Sequence, residues 1–352
     1  MKLIVLIPAY NEELCIAKTI QSILVAGMQV TEVYVINDAS TDHTSAIAAE
    51  LGVNVIDNEF NLGKARGVEN ALKGIFFDGA NDDVTHVCFM DADTLVDVNY
   101  FTAVERSLSE NLASGDTPIS VLCGRVKSIP HNWLTAFRAY ELWQSYTIHK
   151  IAQSRLRTIT VAPGCTSTYS VNALKNVTWS EDTATEDMDS TVQVALAGGV
   201  IKYENKAIVY TQDPSTIKDY LGQIGRRWYP GTWQVFGKHK LITSGPFSLF
   251  HWECRMTVLE PIMYALALIY MTAFHPASLA SIFGISALIV LFFAIIASIN
   301  ERRFDILLYS PIYPVILTVN LFMFVGKIGN IFGRAKNTLK WYSPTRYSIE
   351  SK

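Results

Sequence analysis

The sequence of 352 residues contains few charged side chains and no excess of either sign. Only 17% of the residues are charged, and 29 lysines and arginines stand against 32 aspartates and glutamates, for a formal net charge of -3. A protein that binds nucleic acid through a broad basic face needs a surplus of positive charge, so the composition argues against that class. Glycine (20) and proline (12) occur in ordinary numbers, which excludes collagen-like and low-complexity chains.

The sequence also lacks the cysteine patterns of disulfide-stapled or zinc-bound domains. Its five cysteines are scattered, odd in number and free of any Cys-x-x-Cys pair. This argues against a disulfide framework and a structural zinc, and it is typical of a reducing compartment. The apolar run at positions 3–7 is shorter than the core of a secretion signal and meets Pro8, so we interpret it as a buried strand. We therefore expect the polar part of the chain to face the cytoplasm.

Charge is scarcest towards the C-terminus, where only five charged residues occur in the stretch 256–326. The segment 277–299 carries no charge and exceeds the roughly 20 residues that a bilayer-spanning helix needs. Two further apolar segments, 256–274 and 306–325, are interrupted by a glutamate with a proline and by two prolines, respectively. The sequence therefore predicts a membrane region and leaves the number of spans at two or three.

Basic residues lie before the first apolar segment, between the second and third, and in the tail. Cytoplasmic flanks are enriched in lysine and arginine, so we expect an integral protein of the plasma or inner membrane whose N-terminal domain is cytoplasmic. A stretch of mixed aromatic and basic residues is expected to lie at the bilayer surface. The predicted divisions are a cytoplasmic domain (1–215), an interfacial amphipathic region (216–255), a transmembrane region (256–326) and a basic tail (327–352).

The first 95 residues alternate short apolar runs with helical patterns. Runs rich in valine, isoleucine and phenylalanine predict strands at 3–7, 32–37, 53–56 and 85–90. Helices are predicted at 13–26, 42–51 and 64–77, with Asp42 at one N-terminus and Gly52 just past the same helix. Such alternation implies right-handed crossovers and a mostly parallel sheet of the α/β class. The alternation then loosens, with a strand predicted at 120–126 and helices at 133–153 and 186–196.

Polar residues follow the predicted strands at their carboxyl ends, where sheets of this class bind ligands. They are Ala9-Tyr10-Asn11-Glu12, Asn37-Asp38-Ala39-Ser40 and Asp91-Ala92-Asp93. An isolated Asp-x-Asp is more often a cap or a turn than a site, and acidic residues at a helix start also complement the helix dipole. The order of the motifs along the chain favours a functional site. After the polar segments come Thr185-Glu186-Asp187, then the cluster Gln223-Ile224-Gly225-Arg226-Arg227-Trp228, and then the membrane segments.

This order resembles the processive branch of family 2 glycosyltransferases, which includes cellulose, chitin, hyaluronan and poly-N-acetylglucosamine synthases. The resemblance runs from position 3 to about 236. Its motifs are the opening loop Ile7-Pro8-Ala9-Tyr10-Asn11-Glu12, the uracil-binding turn Asn37-Asp38-Ala39-Ser40-Thr41-Asp42, the lysine turn Asn61-Leu62-Gly63-Lys64-Ala65, the metal motif Asp91-Ala92-Asp93, the base motif Thr185-Glu186-Asp187 and Arg227-Trp228. The tail sequence Lys340-Trp341-Tyr342-Ser343-Pro344-Thr345-Arg346 is similar to that of poly-N-acetylglucosamine synthases.

The resemblance implies a GT-A-type fold and an inverting transfer from a UDP-sugar with Mg2+ or Mn2+ as cofactor. It assigns the nucleotide-sugar to Ala9, Tyr10, Glu12, Asp38, Lys64, Asp91 and Arg227, the metal to Asp93, general-base catalysis to Asp187, and the acceptor to Trp228 and Glu186. The chemistry suits these residues. Carboxylates and phosphates hold hard divalent cations, an arginine grips a diphosphate, and one carboxylate base without a second nucleophile implies inversion. The segment 161–165 is expected to border the acceptor.

Two features depart from the family pattern. In the family, the motif that ends in Arg227-Trp228 reads Gln/Arg-x-x-Arg-Trp. Counting back from Arg227, its first position falls on Ile224, with Gln223 one residue too early. Either a one-residue helical shift lets Gln223 serve, or that polar contact is missing. The sequence also predicts no membrane helix ahead of the catalytic domain, which such synthases usually carry, so it does not predict a self-contained export channel.

The sequence thus predicts a membrane-bound enzyme that extends a β-linked polysaccharide from a UDP-sugar, with N-acetylglucosamine favoured. The alternative is a non-processive glycosyltransferase with a lipid acceptor. A rival of another class is a catalytically silent membrane scaffold that binds nucleotide-sugar without turnover. The expected partners are the donor, the acceptor and the bilayer, with no nucleic acid, and an oligomer or an accessory membrane subunit is left open.

Overall fold

The computed structural model describes residues 2–27, 30–76, 83–332 and 346–347. Its strands are β1 (Leu3–Ala9), β2 (Val30–Asn37), β3 (Asn54–Asp57), β4 (His86–Phe89), β5 (Thr94–Val96), β6 (Ile119–Ser128), β7 (Ser167–Ser170) and β8 (Val200–Thr211). They form one sheet in the order β3-β2-β1-β4-β7-β6-β8-β5. Strands β3, β2, β1 and β4 are mutually parallel, as the alternation in the sequence predicted.

Helices cover both faces of this sheet and continue into an apolar C-terminal region. The helices of the first part are α1 (Ile16–Ala26), α2 (Thr44–Glu50), α3 (Lys64–Phe76), α4 (Tyr100–Ala113), α5 (Trp133–Gln144), α6 (Lys150–Leu156), α7 (Val171–Leu174), α8 (Glu186–Leu196), α9 (Ile217–Gln223) and α10 (Tyr229–Lys238). Those of the second part are α11 (Leu249–Phe274), α12 (Leu279–Glu301), α13 (Phe304–Leu308) and α14 (Tyr313–Val325).

Strand β1 is buried on both faces, which explains its continuous apolar run. Leu3, Val5 and Ile7 point into one core cluster, whereas Ile4 and Leu6 point into the cluster on the opposite face. This alternation follows from the two-residue period of a strand. The run at 3–7 is therefore a central strand of the sheet, as the sequence predicted.

The register of the parallel strands brings their carboxyl ends to one edge. Ala9 pairs with Asn37 at the ends of β1 and β2, and Leu6 pairs with Phe89 at the end of β4. The loops that begin after these residues therefore start side by side. This edge carries the polar residues that the sequence singled out.

The other half of the sheet is mixed. Strand β7 is antiparallel to β4 and β6, and β5 is antiparallel to β8, while β6 and β8 are parallel. The sequence predicted β6 but missed β5, β7 and β8. Strands β5 and β7 are only three and four residues long, and the apolar pattern of β8 is interrupted by the polar residues Glu204-Asn205-Lys206.

The predicted helix at 133–153 is divided by a π-helical turn. Helix α5 begins at the capping box of Asn132 and Thr135, a π-helix covers Ser145–His149, and α6 follows. A π turn holds one extra residue, so the side chains beyond it are rotated relative to a continuous α-helix.

Among the described residues, three helices are long and apolar enough to cross a membrane, namely Leu249–Phe274, Pro276–Glu301 and Ser310–Phe332. Pro261 lies inside the first of them without ending it. The third begins with a 3-10 turn at Ser310–Ile312 that contains Pro311, and Pro314 follows in the first turn of α14.

The aromatic and basic stretch forms α9, a π-helix at Ile224–Trp228 and α10. Tyr220, Trp233 and Phe236 are fully or almost fully buried within the protein, so these three rings do not lie at a bilayer surface as expected. The Trp233 indole donates a hydrogen bond to the carbonyl of Phe324 on α14, at 2.9 Å. This stretch therefore joins the sheet domain to the apolar helices.

Candidate active site

A cavity of about 580 Å³ lies at the carboxyl edge of the parallel strands. Every predicted site residue except Glu186 lines it, namely Ala9, Tyr10, Glu12, Asp38, Lys64, Asp91, Asp93, Asp187, Arg227 and Trp228. The loops after β1, β2 and β4, the starts of α3 and α8, and the π-helix before α10 supply these residues. Residues as far apart in sequence as position 9 and position 228 are thus brought into one cleft.

Asp38 organises the turn that leads into α3. One carboxylate oxygen accepts hydrogen bonds from the Asn58 amide (2.9 Å) and the Leu62 backbone N–H (2.8 Å), and the other accepts from the Gly63 N–H (2.8 Å). Gly63 has a φ of +78°, which other residues adopt only with strain. A carboxylate oxygen can accept two hydrogen bonds, so the second oxygen keeps one position for a ligand.

Lys64 stands between two carboxylates. Its ammonium lies 2.6 Å from Asp91 and 3.0 Å from Glu186, and the Arg227 guanidinium lies 3.3 Å from the same Glu186 carboxylate. Burial alone would raise the pKa of Glu186, but Lys64 and Arg227 outweigh burial and lower it to about 2. Glu186 is therefore an anion that holds the two cations at the cavity wall, and the structure does not place it on the cavity surface.

Asp187 lies in the first turn of α8 and lines the cavity. One of its oxygens accepts a hydrogen bond from the Gly164 backbone N–H at 3.3 Å. Burial, and next the negative charge of Glu186, raise the pKa of Asp187, although Arg227 and Lys64 oppose them. A raised pKa favours uptake of a proton, which is the task of a general base.

The loop containing Gly164 passes close to the acidic residues. A Cβ at this position would lie 2.9 Å from the Lys64 ammonium and 3.8 Å from both Asp91 and Asp187. Lys64 is held by two ion pairs and cannot move aside freely. A glycine is thus needed for the close approach of this loop to the site.

Asp93 and Glu12 share one cation, Arg346 in the C-terminal tail. The guanidinium Nη1 lies 2.5 Å from Asp93, and Nη2 and Nε lie 2.6 and 3.0 Å from the two oxygens of Glu12. Burial raises the pKa of Asp93 to about 6 even though Arg346 acts in the opposite direction. The sequence assigned no role to Arg346, and the only signal was its place in the tail motif, whose other residues at 340–345 lie outside the described ones.

Trp228 lines the cavity and is held from one side by a buried arginine. The guanidinium carbon of Arg138 lies 4.8 Å from the centre of the Trp228 ring. Arg138 is paired with Asp213 at 2.9 Å and with Glu141 at 2.5 Å. Sequence reasoning missed these partners, because a polar residue on a mostly apolar helix gives no sign of what it contacts.

A π-helix covers Ile224–Trp228 and begins just after Gln223, which lies one residue too early for the family motif. A π turn holds one extra residue, which can accommodate a one-residue offset, and Gln223 lines the same cavity as Arg227 and Trp228. The side-chain oxygen of Gln223 has no hydrogen-bond partner among the described residues. Of the two alternatives, the geometry favours the shift that lets Gln223 serve.

The far end of the cavity is formed by the apolar helices. Thr257 of α11 and Phe324 of α14 line it together with Tyr229 and Trp228. Near the loop 161–165, Tyr146 and Met188 complete the wall. The cleft therefore extends from the acidic edge of the sheet to two helices that are apolar enough to cross a membrane.

Comparison with known families gives the same picture. The family model described as "Glycosyltransferase like family 2" matches residues 2–231, which is more than half of the chain. The chain belongs to glycosyltransferase family 2. This match covers the sheet, α1 to α9 and the start of α10, and so includes all the predicted site residues.

The curated relatives include polysaccharide synthases. The chain is 27% identical over 235 residues to the poly-beta-1,6-N-acetyl-D-glucosamine synthase of Staphylococcus epidermidis, a match covering 65% of this chain and 54% of that one. It is 27% identical over 257 residues to the uncharacterized glycosyltransferase YaiP of Escherichia coli, covering 70% of this chain and 60% of that one. The matched region is thus little more than half the length of these relatives.

Solved structures confirm the fold class. The mannosyltransferase PcManGT from Pyrobaculum calidifontis, in complex with GDP-Man and Mn2+, superposes with a TM-score of 0.59 at 17% identity, covering 90% of this chain and 87% of that one. TarS 1-349 of Staphylococcus aureus, in complex with UDP-GlcNAc, gives a TM-score of 0.54 at 16% identity, covering 94% and 91%. The predicted α/β fold of the GT-A type is therefore confirmed.

Proposed function

We propose that this chain is a membrane-bound, metal-dependent, inverting glycosyltransferase that moves N-acetylglucosamine from a UDP-sugar to a growing β-linked polysaccharide. The observation that carries the proposal is that Asp38, Asp93, Asp187 and Arg227 line one cavity. The poly-N-acetylglucosamine synthases among the relatives support the acceptor and the sugar, and the TarS complex named with UDP-GlcNAc supports the nucleotide.

The cation chemistry of the site suits a divalent metal. Glu12 and Asp93 direct carboxylate oxygens at the guanidinium of Arg346, so together they already bind one positively charged group. In the described ranges no three potential metal-binding side chains cluster, and Mg2+ commonly takes one or two carboxylates together with substrate phosphates. We assign Asp93 as the protein ligand of Mg2+ or Mn2+, which when bound stabilises negative charge on the leaving diphosphate.

The donor is bound by residues that already hold defined positions. Asp38 keeps one acceptor position, which suits the imide N–H of a uracil ring. Lys64 and Arg227 are cations at the cavity wall, and a diphosphate would compete with Asp91 and Glu186 for them. Arg227 presents the planar fork that matches phosphate oxygens, whereas Lys64 supplies a point charge.

Asp187 takes the proton from the acceptor hydroxyl. The hydroxyl oxygen then forms a bond to the anomeric carbon while the bond from that carbon to the diphosphate breaks, and the electron pair leaves with the UDP. Because the attack comes from the side opposite the leaving group, an α-linked donor gives a β-linked product. Trp228 supplies an apolar face for the acceptor sugar ring, held by Arg138.

A lipid acceptor is the second candidate function, because the cavity reaches the apolar helices. Thr257 and Phe324 bring its far end to α11 and α14, where a lipid-linked sugar could approach from the bilayer. We propose that these helices cross the membrane with the sheet domain on the cytoplasmic side. A polysaccharide leaving the site would meet the same two helices.

Product analysis tests both candidates. Membranes containing the chain are incubated with a panel of labelled UDP-sugars, and the products are separated by size and by extraction into organic solvent. We expect incorporation from UDP-N-acetylglucosamine into a ladder or a long polymer. A single organic-extractable species would support the lipid acceptor, and nucleotide binding without incorporation from any donor would support the scaffold alternative.

The metal assignment has its own test. Asp93→Ala should abolish transfer, and a chelator should abolish transfer by the unmutated protein until Mn2+ or Mg2+ is added back. Full activity in the presence of chelator would remove the metal from the mechanism.

A further inference from the structure

A cation from the C-terminal tail fills the position between the two carboxylates Glu12 and Asp93. Arg346 makes three hydrogen bonds to them, and its side chain is only 15% exposed, against 7% and 9% for Glu12 and Asp93. These carboxylates lie at the edge of the sheet, more than 250 residues away in sequence. Because this ion pair is buried and joins residues far apart in the sequence, it is part of the folded cleft and not a chance surface contact.

The tail is fixed by the next residue as well. The backbone N–H of Tyr347 donates a hydrogen bond to the side-chain oxygen of Gln212 at 3.2 Å. The Tyr347 ring stacks on His131, with centroids 4.1 Å apart and an interplanar angle of 18°. Arg346 is therefore held by its own charge and by a docked neighbour.

A divalent ion and the Arg346 guanidinium would compete for this pair of carboxylates. A divalent ion bound by Asp93 would lie within a few ångströms of the guanidinium, and like charges at such a separation repel strongly in a buried site. Arg346 already engages both oxygens of Glu12, so a metal ion at that carboxylate would compete with the guanidinium for the same oxygens.

We propose that Glu12 and Asp93 form one cation site with two alternative occupants, the divalent metal and Arg346. Arg346 closes the site while no metal is bound, and the metal enters only as Arg346 leaves. The inference rests on the proposed metal-dependent function. Its consequence is that the unmutated protein binds metal more weakly than its carboxylates alone would, since displacing Arg346 opposes binding.

The test is a direct measurement of Mn2+ binding to the full chain in detergent, by electron paramagnetic resonance or calorimetry. We expect Arg346→Ala to bind Mn2+ at least about tenfold more tightly than the unmutated chain. Arg346→Lys should fall between the two, because an ammonium keeps the charge but not the planar fork. The matched control is Arg155→Ala, an exposed arginine whose loss changes the net charge equally and should leave the affinity unchanged.

The outcomes separate this inference from the proposed function. If Asp93→Ala abolishes Mn2+ binding while Arg346→Ala leaves the affinity unchanged or weaker, the metal site stands and the exchange of occupants is wrong. If Asp93→Ala binds Mn2+ as well as the unmutated chain, the metal assignment fails and the inference fails with it. A loss of turnover in Arg346→Ala at unchanged Mn2+ affinity would show that the arginine acts on the nucleotide, which also overturns the inference.

Discussion

At the scale of single residues, the acidic groups of the site have different pKa values because their immediate neighbours differ. Glu186 and Asp187 are adjacent in sequence, yet Lys64 and Arg227 hold Glu186 as an anion while burial and that anion raise the pKa of Asp187. Neighbouring carboxylates in unlike environments can take unlike roles. Here one positions cations and the other is available to accept a proton.

This arrangement predicts the pH dependence of transfer. Asp187 must be ionised to act as a base, so the rate should fall as pH drops through a pKa above that of an ordinary aspartate. Glu186→Gln removes the adjacent negative charge, which is one cause of the raised pKa of Asp187, and keeps the opposing charges of Lys64 and Arg227. The pKa of Asp187 should therefore be lower in this variant than in the unmutated protein. The acid limb of the profile of kcat/KM against pH should therefore move to lower pH, whatever the change in maximal rate. A limb that stays in place or moves to higher pH would contradict the assignment of Asp187.

The place of a single residue in the fold could be predicted from the sequence where that residue follows a strand. Asp38, Asp91 and Asp93 lie at strand ends, whose common edge follows from the parallel sheet alone. Arg138 and Arg346 could not be found in this way, because their partners are far apart in sequence and are set by tertiary packing. Glu186 was expected at the acceptor, and only the distances from its carboxylate to Lys64 and Arg227 show its other role.

At the scale of elements, the position of the base depends on how closely α10 packs against the start of α8. A Cβ at Gly231 of α10 would lie 2.6 Å from the side chain of Thr185, the residue just before α8. Both are buried, so neither can give way into solvent. The approach of these two helices thus requires glycine at position 231.

Gly231→Ala should therefore destabilise the protein by about 1–3 kcal/mol through overpacking. Thermal unfolding in detergent, followed by circular dichroism, measures the change. Gly284→Ala on α12 is the matched control, because a Cβ there meets nothing within 4 Å, and it should leave the unfolding temperature unchanged or slightly higher. Equal effects of the two substitutions would show that the close approach is not the reason for glycine at 231.

Long, strongly patterned elements were predictable and short or irregular ones were not. The pattern at 186–196 predicted α8 to the residue, and the apolar run at 3–7 predicted the central strand. The three-residue β5 carries too little pattern to be seen. The π turns at Ser145–His149 and Ile224–Trp228 are invisible to a helical period, because each adds one residue without a distinctive side chain.

At the scale of the whole molecule, the sheet domain is fastened to the apolar helices by a buried ion pair. Glu301 at the end of α12 lies 2.5 Å from Arg125 and 3.0 Å from Lys127 of β6, and its side chain is 7% exposed. Removing one partner of such a group leaves the others buried without a counter-charge. This contact links strand β6 of the sheet to the helices that we propose to be in the membrane.

Glu301→Ala should destabilise the protein by about 3 kcal/mol, measured by denaturant unfolding in detergent micelles. Glu110→Ala is the control, because that side chain is 73% exposed and lies 3.8 Å from Arg106. An exposed pair of this kind contributes about 1 kcal/mol at most. If the two substitutions have the same effect, Glu301 does not hold the two parts together.

The most direct test of the account is transfer from labelled UDP-N-acetylglucosamine by membranes carrying the unmutated chain or Asp187→Asn. We expect UDP release and incorporation of label to fall about 1000-fold in Asp187→Asn, while UDP binding is retained. Transfer at an undiminished rate in Asp187→Asn would contradict the claim that this cavity performs the reaction with Asp187 as its base.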